Sequence, residues 1–303
     1  MSENNHPGDQ SAQRRRDVAE NDATRVEQTA RQAFQQEATD LRGRTCSIQP
    51  EQGMVPTLNP GQRTAGCNYE SLAAIAERTG VLEVGDIWNE MTRSSVHIRL
   101  RDERGGRATG SGVVIGEHNN QCVVLTAAHV SSPNQFFPGG ASEVTSRGVV
   151  MPNGRTYPAE VRFRDVRTDR AVMTVRTGDD TSAICHPARF AEDTSRRGPA
   201  FVGGFPLGSR SQYLSPGESL GIRRTLVQPG SSERNPREIF LIAQTHAGNS
   251  GAQIRNARNE VFGILSREHL PHEDRRPTNV ISVAQPVSAR QVENYMRILR
   301  SQR

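Results

Sequence analysis

The feature that most constrains the fold of this chain is a succession of short apolar runs between Ser95 and Val287, separated by glycine, proline and asparagine. Runs of this length, bounded by turn residues, are typical of β-strands. A first set covers residues 96–100, 112–115, 123–126, 149–151, 161–163 and 171–175, and a second covers 200–203, 220–225, 239–243, 261–265 and 280–287. Pro152-Asn153-Gly154 marks a hairpin turn within the first set. The pattern predicts an all-β barrel or sandwich with two sets of strands.

Helices are predicted at both ends of this β region. At its C-terminal end, residues 289–300 place three apolar side chains on one helical face, those of Val292, Met296 and Leu299. At its N-terminal end, residues 67–94 predict a short helical segment with Asn68 as its N-cap and Gly80 as its C-terminal stop. Trp88, the one tryptophan of the chain, is expected to anchor this segment on the β region.

The first 66 residues are predicted to form a polar extension that is largely disordered or weakly helical. Hydrophobic residues make up 34% of the 303 residues, and the mean hydropathy of −0.65 is low for a chain that is compact throughout. Residues 22–41 carry a thin apolar stripe at helical spacing, formed by Val26, Ala30, Phe34 and Leu41. Such a stripe buries little surface, so this helix is expected to pack weakly or to pair with a partner or a second copy. Residues 43–66 predict a linker.

Composition argues against several classes of function. The formal net charge is +5, but the 38 basic residues, all arginine, are scattered among acids, and no nucleic-acid-binding motif accompanies them. The N-terminus lacks the apolar stretch of a secretory signal, and no run has the length of a membrane-spanning helix. We therefore expect neither nucleic-acid nor membrane binding, and a cytoplasmic location, with unconventional export left open.

The four cysteines are Cys46, Cys67, Cys122 and Cys185. They form no C-x-x-C pair, so a zinc site is not expected. Cys122 lies in an apolar run and is predicted to be a small core residue. Cys46 and Cys67 bracket a polar loop and could form a disulfide in an oxidising compartment, a choice that their spacing does not decide.

A serine between glycines follows the apolar run that ends at residue 243. In Gly248-Asn249-Ser250-Gly251, the glycines permit strained or positive-φ backbone and leave space around the hydroxyl. The N–H groups of Gly248 and Ser250 could then converge on one point, as an oxyanion hole requires. Because Gly-x-Ser-Gly also occurs in ordinary turns, the motif indicates a nucleophile only together with a base and an acid.

Two of the eight histidines are candidates for the base. His129 follows an apolar run, and the small residues Ala127 and Ala128 let the chain turn closely beneath its imidazole, which could then take the proton of Ser250. His246 lies four residues before Ser250. Neighbours in one loop rarely have the alignment that proton transfer demands, so His246 is expected to line a pocket or to be solvated.

The acid that orients the base is predicted to be Asp169. It leads into the buried run 171–175, which would hold its carboxylate rigid and partly desolvated. Asp165 is the competing candidate, but it is expected to be an exposed hairpin residue matched to Arg164 or Arg167.

Together these residues resemble the chymotrypsin-fold serine proteases, and among them the bacterial HtrA-type and related trypsin-like peptidases. The order His129, Asp169, Ser250 is that of the chymotrypsin arrangement. The flanking sequences are also similar to motifs of the family. They are Gly110-Ser111-Gly112-Val113-Val114-Ile115, Thr126-Ala127-Ala128-His129, Asp169-Arg170-Ala171-Val172, Gly204-Phe205-Pro206-Leu207-Gly208 and Phe262-Gly263-Ile264-Leu265-Ser266. The resemblance covers about residues 88–300.

The resemblance implies two six-stranded antiparallel β-barrels, the first over about 95–178 and the second over about 195–287, with the catalytic site between them. It assigns Ser250 as nucleophile, His129 as general acid and base, and Asp169 as its orienter. Gly248 and Ser250 would supply the oxyanion N–H groups. Ser266 would begin the strand along which a peptide substrate pairs by β-augmentation. No metal and no organic cofactor are expected.

The family pattern also locates the primary specificity pocket, whose base falls at Gln244. No acid stands there, so strict cleavage after arginine or lysine is not expected. His246 could favour an acidic side chain. Arg267 either shapes the pocket wall or points into solvent.

The chain departs from the family at three places. Val130 follows the histidine where secreted animal enzymes carry a cysteine, so the disulfide found there is not expected. Ala252-Gln253 replaces the usual Gly-Pro after the nucleophile loop, which leaves the local backbone geometry open. Only a helix follows Val287, so no PDZ domain is expected.

The leading hypothesis is a serine endopeptidase that acts on protein or peptide substrates through an acyl-enzyme. The alternative is a latent or inactive protease-fold module that binds or regulates through its N-terminal extension; the presence of all three triad residues favours the enzyme. An α/β-hydrolase esterase is not expected, because the histidine precedes Ser250 and the motif is not Gly-x-Ser-x-Gly. If the extension is a latency or docking segment, removal of residues 1–66 should leave activity intact or raise it.

Overall fold

The computed structural model describes residues 53–58, 68–132, 143–224, 237–269 and 281–301. These residues all belong to one compact unit, Thr45–Arg303. The predicted helix over 22–41 and the cysteines Cys46 and Cys67 lie outside the described ranges. None of the described helices is long and apolar enough to cross a membrane.

Strands dominate the described chain, and helices lie mainly at its two ends. In chain order the elements are β1 (Met54–Thr57), β2 (Asn68–Ser71), α1 (Leu72–Thr79), α2 (Val84–Ser94), β3 (Ser95–Asp102), β4 (Arg107–His118), β5 (Gln121–Thr126), α3 (Ala128–Ser131), β6 (Val144–Val150), β7 (Thr156–Asp165), β8 (Arg170–Val175), α4 (Thr181–Ile184), β9 (Gly198–Gly204), β10 (Tyr213–Arg224), β11 (Arg237–Ile242), β12 (Gln253–Asn256), β13 (Val261–His269), β14 (Ile281–Pro286) and α5 (Ala289–Ser301). Single 3₁₀ turns cover Gly178–Asp180 and Pro206–Gly208. Every apolar run of the two predicted sets overlaps a strand.

The first set of strands closes into a six-stranded antiparallel barrel in the order β3-β4-β5-β8-β7-β6. Its interior is filled by alternate residues of these strands, such as Val96, Ile98 and Leu100 of β3. The predicted hairpin turn at Asn153-Gly154 joins β6 to β7, and Gly154 has the positive φ of 77° that this turn needs. Cys122 is buried as predicted and forms a disulfide with Cys185, which the sequence did not predict.

The second set closes into another six-stranded barrel, because β9, β10, β11, β14, β13 and β12 pair in a ring. The two six-stranded barrels confirm the predicted fold class. The sequence did not predict β12, since Ile254 is the one apolar residue in Gln253–Asn256. Gln253 and Arg255 are nevertheless buried, so these polar residues do not indicate an exposed strand.

The closing helix α5 lies between the two barrels and confirms the predicted C-terminal helix. Val292, Met296 and Leu299 are its buried residues, as predicted. They belong to one apolar cluster with Val113 of β4 and Ile264 of β13. The same cluster therefore joins the outer face of each barrel and fixes how the barrels sit against each other.

The helical segment before the first barrel begins differently from the prediction. The N-cap of α1 is Ser71, whose hydroxyl accepts a hydrogen bond from the N–H of Ala74 at 3.1 Å, whereas Asn68 lies in β2. Ser71 caps the helix because the chain is still extended at Asn68. Gly80 ends α1 in the left-handed conformation, as predicted.

Helix α2 packs on the second barrel through its apolar face. Ile87 and Met91 are fully buried in a cluster with Phe201 of β9 and Leu214 of β10. Trp88 is half-buried at the edge of this cluster, so the deeper anchors are its two neighbours on the helix. Burial of two large apolar side chains makes α2 part of the barrel's packing.

Strand β1 lies in the stretch that the sequence predicted as linker. It pairs with β2 and, in parallel, with β10 at Thr57 and Leu214. Val55 is 1% exposed and packs in the same cluster as α2. A four-residue strand that contains a proline is too short to recognise from its pattern, and its burial comes from partners far along the chain.

Because of β1, we predict that two N-terminal truncations behave differently. A chain that begins at residue 53 should keep the melting temperature of the full chain. A chain that begins at residue 67 loses β1 and should melt lower by roughly 5–10 °C, because burial of one valine-sized side chain stabilises by about 1.5–3 kcal/mol. Thermal unfolding followed by circular dichroism measures both. Equal melting temperatures for the two truncations would show that β1 does not contribute to stability.

Candidate active site

The position of His129 follows from the sharp end of β5. Ala127 and Ala128 are both buried, and Ala127 is extended at φ −72° and ψ 143° before the single helical turn α3 begins. Their small side chains allow the backbone to turn in the barrel wall. The hydroxyl of Ser131 donates to the carbonyl oxygen of Ala128 at 2.7 Å and closes the turn. The imidazole of His129 is 26% exposed at the rim of the first barrel.

Asp169 is presented by a turn that Asp165 stabilises. The carboxylate of Asp165 accepts hydrogen bonds from the N–H groups of Arg167 and Thr168, and from the Thr168 hydroxyl at 2.7 Å. The predicted exposure of Asp165 is wrong, because this residue is half-buried and bonds the turn itself. The predicted match to Arg167 is supported, since the positive charge of that arginine acts on the Asp165 carboxylate. Asp169 has φ of 46°, in the left-handed region that aspartate tolerates better than most residues.

The structure brings His129 and Asp169 together across 40 residues of sequence. The Nδ1 atom of His129 lies 3.0 Å from each carboxylate oxygen of Asp169, and the backbone N–H of His129 donates to Oδ1 at 3.0 Å. The hydroxyl of Ser266 donates to Oδ2 at 2.5 Å. A carboxylate at Nδ1 favours the tautomer with its proton there and its lone pair on Nε2.

The pKa of Asp169 reflects opposing effects. Burial alone would raise the pKa of this carboxyl, but the hydrogen bond and positive charge of His129, the hydroxyl of Ser266 and the backbone N–H of His129 outweigh burial and lower it. Asp169 is therefore ionised at neutral pH, which a group that orients an imidazole requires.

Ser250 lies in a tight loop between β11 and β12. The N–H of Asn249 donates to the carbonyl oxygen of His246 at 3.0 Å, and that of Ala252 donates to Asn249 at 2.8 Å. Gly251, at φ 83°, packs against Ser111 and Thr126 of the first barrel so closely that any side chain would overlap their atoms. The Ser250 hydroxyl donates to the carbonyl oxygen of Ser266 at 3.3 Å.

Ser266 is thus shared by the predicted nucleophile and the predicted acid. Its hydroxyl binds Asp169, and its carbonyl oxygen accepts from Ser250. The sequence predicted Ser266 only as the start of a substrate-pairing strand. Its contact with Asp169 spans 97 residues, so no local pattern could have indicated it.

Ser111 of β4 holds the nucleophile loop from the first barrel. Its N–H donates to the carbonyl oxygen of Ser250 at 2.8 Å, and its hydroxyl donates to that of Gly248 at 2.8 Å. The same hydroxyl accepts from the N–H of Phe205 at 2.9 Å, and Thr126 donates to the Ser111 carbonyl. The two donors of Ser111 therefore join β4 to the loop, and its acceptors bond Phe205 and Thr126.

Two stacked rings lie beside the residues that hold this loop. The ring of His97 stacks on Phe205 with centroids 5.0 Å apart. Burial, reinforced by the charge of Arg99, lowers the pKa of His97 to about 3, so its imidazole is neutral at physiological pH. A neutral ring here adds no charge close to the nucleophile loop.

The two predicted oxyanion donors are both available. Within the described residues, neither the N–H of Gly248 nor that of Ser250 donates a hydrogen bond. Gly248 has φ of 93°, a value that favours glycine. The carbonyl oxygen of Ala247 accepts from the N–H of Leu207 at 2.6 Å, and this bond fixes the peptide unit that carries the Gly248 N–H.

The predicted pocket residues lie on two segments beside Ser250. Gln244 and His246 are half-buried and precede the nucleophile loop. The intervening Thr245 is fully buried, and its hydroxyl lies 2.8 Å from that of Ser282 on β14. This contact ties the segment of Gln244 and His246 to the second barrel.

Arg267 is exposed and forms an ion pair with a buried acid. Its guanidinium makes two hydrogen bonds, of 2.7 and 2.8 Å, with the carboxylate of Glu238, which is 2% exposed. Gln285 donates to the same carboxylate at 3.0 Å. The Arg267 side chain is 46% exposed, as the alternative of a solvent-facing side chain expects, and its role in the pocket wall stays a prediction. Neither alternative considered a buried acid on β11 as its partner.

Comparisons with known proteins point to the same family as the sequence motifs. A family model described as a trypsin-like peptidase domain matches residues 110–264. HhoA of Synechocystis sp. is 32% identical over 166 residues, and the Do-like HtrA serine protease of Lactobacillus helveticus is 29% identical over 168 residues. Each alignment covers 54% of this chain and 37% of the relative, so the chain spans little more than a third of the length of the relatives it matches.

A solved structure extends the likeness to the fold. The active form of the Rv3671c protease of M. tuberculosis superimposes with a TM-score of 0.53 at 19% identity, covering 80% of this chain and 88% of that one. At this identity the likeness bears on the fold alone. Together the comparisons confirm the resemblance to chymotrypsin-fold, HtrA-type serine proteases.

The contact between Ser266 and Asp169 predicts a pH-dependent loss of stability. Ser266→Ala should lower the free energy of unfolding at pH 7 by about 1.5–3 kcal/mol, the range for hydrogen bonds to charged groups. Because folding lowers the pKa of Asp169, its stabilising effect is present above the unfolded-state pKa and is lost as pH falls through the folded-state pKa. The decrease in unfolding free energy caused by Ser266→Ala should therefore become smaller below about pH 4.

Urea unfolding at a series of pH values measures this loss. Ser219→Ala is a matched control, because the buried Ser219 hydroxyl donates to the carbonyl oxygen of Arg196 rather than to a carboxylate. Its effect on stability should not change with pH. The same pH dependence in both variants would contradict a charged Asp169 as the partner of Ser266.

Proposed function

Because the chain belongs to the trypsin-like peptidase domain family, we propose that it is a serine endopeptidase that hydrolyses peptide bonds through an acyl-enzyme on Ser250. One observation carries the proposal: a series of hydrogen bonds runs from His129 to Asp169, from Asp169 to Ser266, and from Ser266 to Ser250. This arrangement gives the imidazole of His129 the carboxylate that orients it, and it connects Ser250 to the same carboxylate through Ser266.

In the first half-reaction, the Ser250 oxygen attacks the carbonyl carbon of the scissile bond while Nε2 of His129 takes its proton. The imidazolium that forms is stabilised by Asp169, which stays ionised. The same proton then passes to the leaving amine as the C–N bond breaks, and the acyl group remains on Ser250. The lowered pKa of Asp169 supports its role as a permanent negative charge.

Negative charge develops on the carbonyl oxygen in both half-reactions, and two backbone donors would stabilise it. The N–H groups of Gly248 and Ser250 are the candidates, and the Leu207–Ala247 hydrogen bond supports a preformed orientation of the first. Water, activated by His129, would then attack the acyl group and release the acid product.

The proposed substrate is an extended segment of protein or peptide. It would add as a strand along the chain that begins at Ser266, with backbone hydrogen bonds supplying affinity. The pairing of Arg267 with Glu238 neutralises both charges beside that strand, which supports a subsite without a strong demand for a charged residue. We propose no preference for cleavage after arginine or lysine, because the predicted pocket base is the uncharged Gln244.

Labelling with a fluorophosphonate probe tests the proposal. The natural chain should be labelled, Ser250→Ala should not, and His129→Ala should react at least about 10²-fold more slowly, the lower range for loss of a general base. In-gel fluorescence with a concentration series of probe measures the rates.

His246→Ala is the matched control for the loss of a histidine. If His129 is the base, this variant should be labelled within about threefold of the natural rate, because His246 is not the partner of Asp169. Loss of labelling in His246→Ala but not in His129→Ala would exchange their roles. Absence of labelling in a folded natural chain would favour the alternative of a latent or regulatory module.

A further inference from the structure

Two buried polar side chains lie next to the nucleophile loop and take no part in the proposed chemistry. Gln253 and Arg255 begin β12, three and five residues after Ser250, and are 0% and 1% exposed. Ile254 between them points into the core of the second barrel. Because side chains alternate along a strand, both polar groups lie on the opposite face, towards α2.

Gln253 bonds to the end of α2 and to the start of the first barrel. Its side-chain nitrogen lies 3.2 Å from the carbonyl oxygen of Met91, 3.0 Å from the hydroxyl of Ser94 and 2.7 Å from that of Ser95. Its side-chain oxygen accepts from Nε of Arg255 at 2.7 Å. The carboxamide is therefore satisfied at both ends, its nitrogen by groups about 160 residues earlier in the chain and its oxygen by Arg255.

Among the residues that the structure describes, Arg255 completes the network without an acidic partner in hydrogen-bond contact. It donates to the Ser94 hydroxyl at 3.0 Å and to the carbonyl oxygen of Asn259 at 3.1 Å. Burial lowers the pKa of this guanidinium to about 10, and the side chain remains charged at neutral pH. Breaking the hydrogen bonds of a buried charge has a large cost in free energy. The network therefore has one preferred arrangement.

Helix α2 also packs on the strand next to β12. Gly203 of β9 is paired with Gln253, and Met91 lies so close above it that a side chain at Gly203 would overlap the Met91 sulfur. Four residues later, Leu207 supplies the N–H that holds the carbonyl oxygen of Ala247. The last turn of α2 therefore contacts two strands that support the nucleophile loop. One is β12, which follows the loop, and the other is β9, which leads into the turn that contains Leu207.

The residue type at position 253 affects how the backbone is restricted there. The family pattern places a proline after the nucleophile loop, and a proline ring restricts φ by itself. Gln253 has no such restriction, so its backbone is held by strand pairing with Gly203 and Ile264 and by what its side chain binds. The carbonyl oxygen of Met91 and the hydroxyls of Ser94 and Ser95 are those partners.

We propose that Gln253 is a positioning residue through which the last turn of α2 holds the nucleophile loop in its reactive conformation. The proposal rests on the proposed function only for its effect on rate; its effect on the loop is independent of activity. Under this proposal α2 contributes to the activity of the proposed enzyme, although the helix precedes the first barrel in sequence.

Gln253→Met tests the proposal, since it keeps the length of the side chain and removes all its hydrogen bonds. We expect amide hydrogen exchange in the peptide over residues 244–252 to increase by about tenfold or more. With a peptide substrate, kcat should fall by about tenfold while KM stays within twofold, because the loop acts on the transition state. Ser94→Ala, a milder change made from the helix side, should act in the same direction and guards against failure of Gln253→Met to fold.

Ile254→Val is the matched control, since it weakens the same strand through its core-facing side chain. It should lower the melting temperature without raising exchange in the 244–252 peptide or lowering kcat by more than twofold. Unchanged exchange in both Gln253→Met and Ser94→Ala, or an equal rise in Ile254→Val, would overturn the proposal. A natural chain with no activity would overturn the proposed function, while the exchange experiment would still decide the role of Gln253.

Discussion

The candidate site depends on the hydrogen bonds of Ser111, because its reacting groups belong to two separate barrels. His129 and Asp169 lie on the first barrel, and Ser250 and Ser266 lie on the second. Ser111 holds the carbonyl oxygens of Gly248 and Ser250 through its hydroxyl and its N–H, each at 2.8 Å. An apolar cluster that includes residues of α5 also packs between the barrels. Alignment of imidazole and hydroxyl to within a fraction of an ångström needs such direct attachment.

The nucleophile loop is thus held from both sides. Ser111 holds it from the first barrel, and Gln253 connects the strand that follows it to α2. The elements β1 and α2, which precede residue 95, belong to the packed structure because they bury apolar side chains against β9 and β10. The range 1–66 includes β1, so its removal is expected to affect stability, while the prediction that it leaves activity intact or raises it stays a prediction. The remaining residues of the extension lie outside the described structure, and their docking or latency role stays a prediction.

Much of the fold was predictable because its strands are short apolar runs between turn residues, and the triad was predictable because its flanks resemble family motifs. Three of the failures share one cause, which is that a partner distant in sequence decides the environment. Strand β12 was missed because two of its buried residues are Gln253 and Arg255, whose partners come from α2 and the following turn. The ion pair of Arg267 was missed because Glu238 lies on another strand. The hydroxyl of Ser266 meets Asp169 across 97 residues, which no local pattern reveals.

The most direct test of the central claim is to trap the acyl-enzyme. The natural chain is mixed with excess 4-nitrophenyl acetate, quenched in acid within the first turnover and mapped by peptide mass spectrometry. The account predicts a burst of nitrophenol equivalent to about one site per chain and an acetyl group on the peptide that contains Ser250. Turnover without a burst, or an acetyl group on any other residue, would contradict Ser250 as the nucleophile.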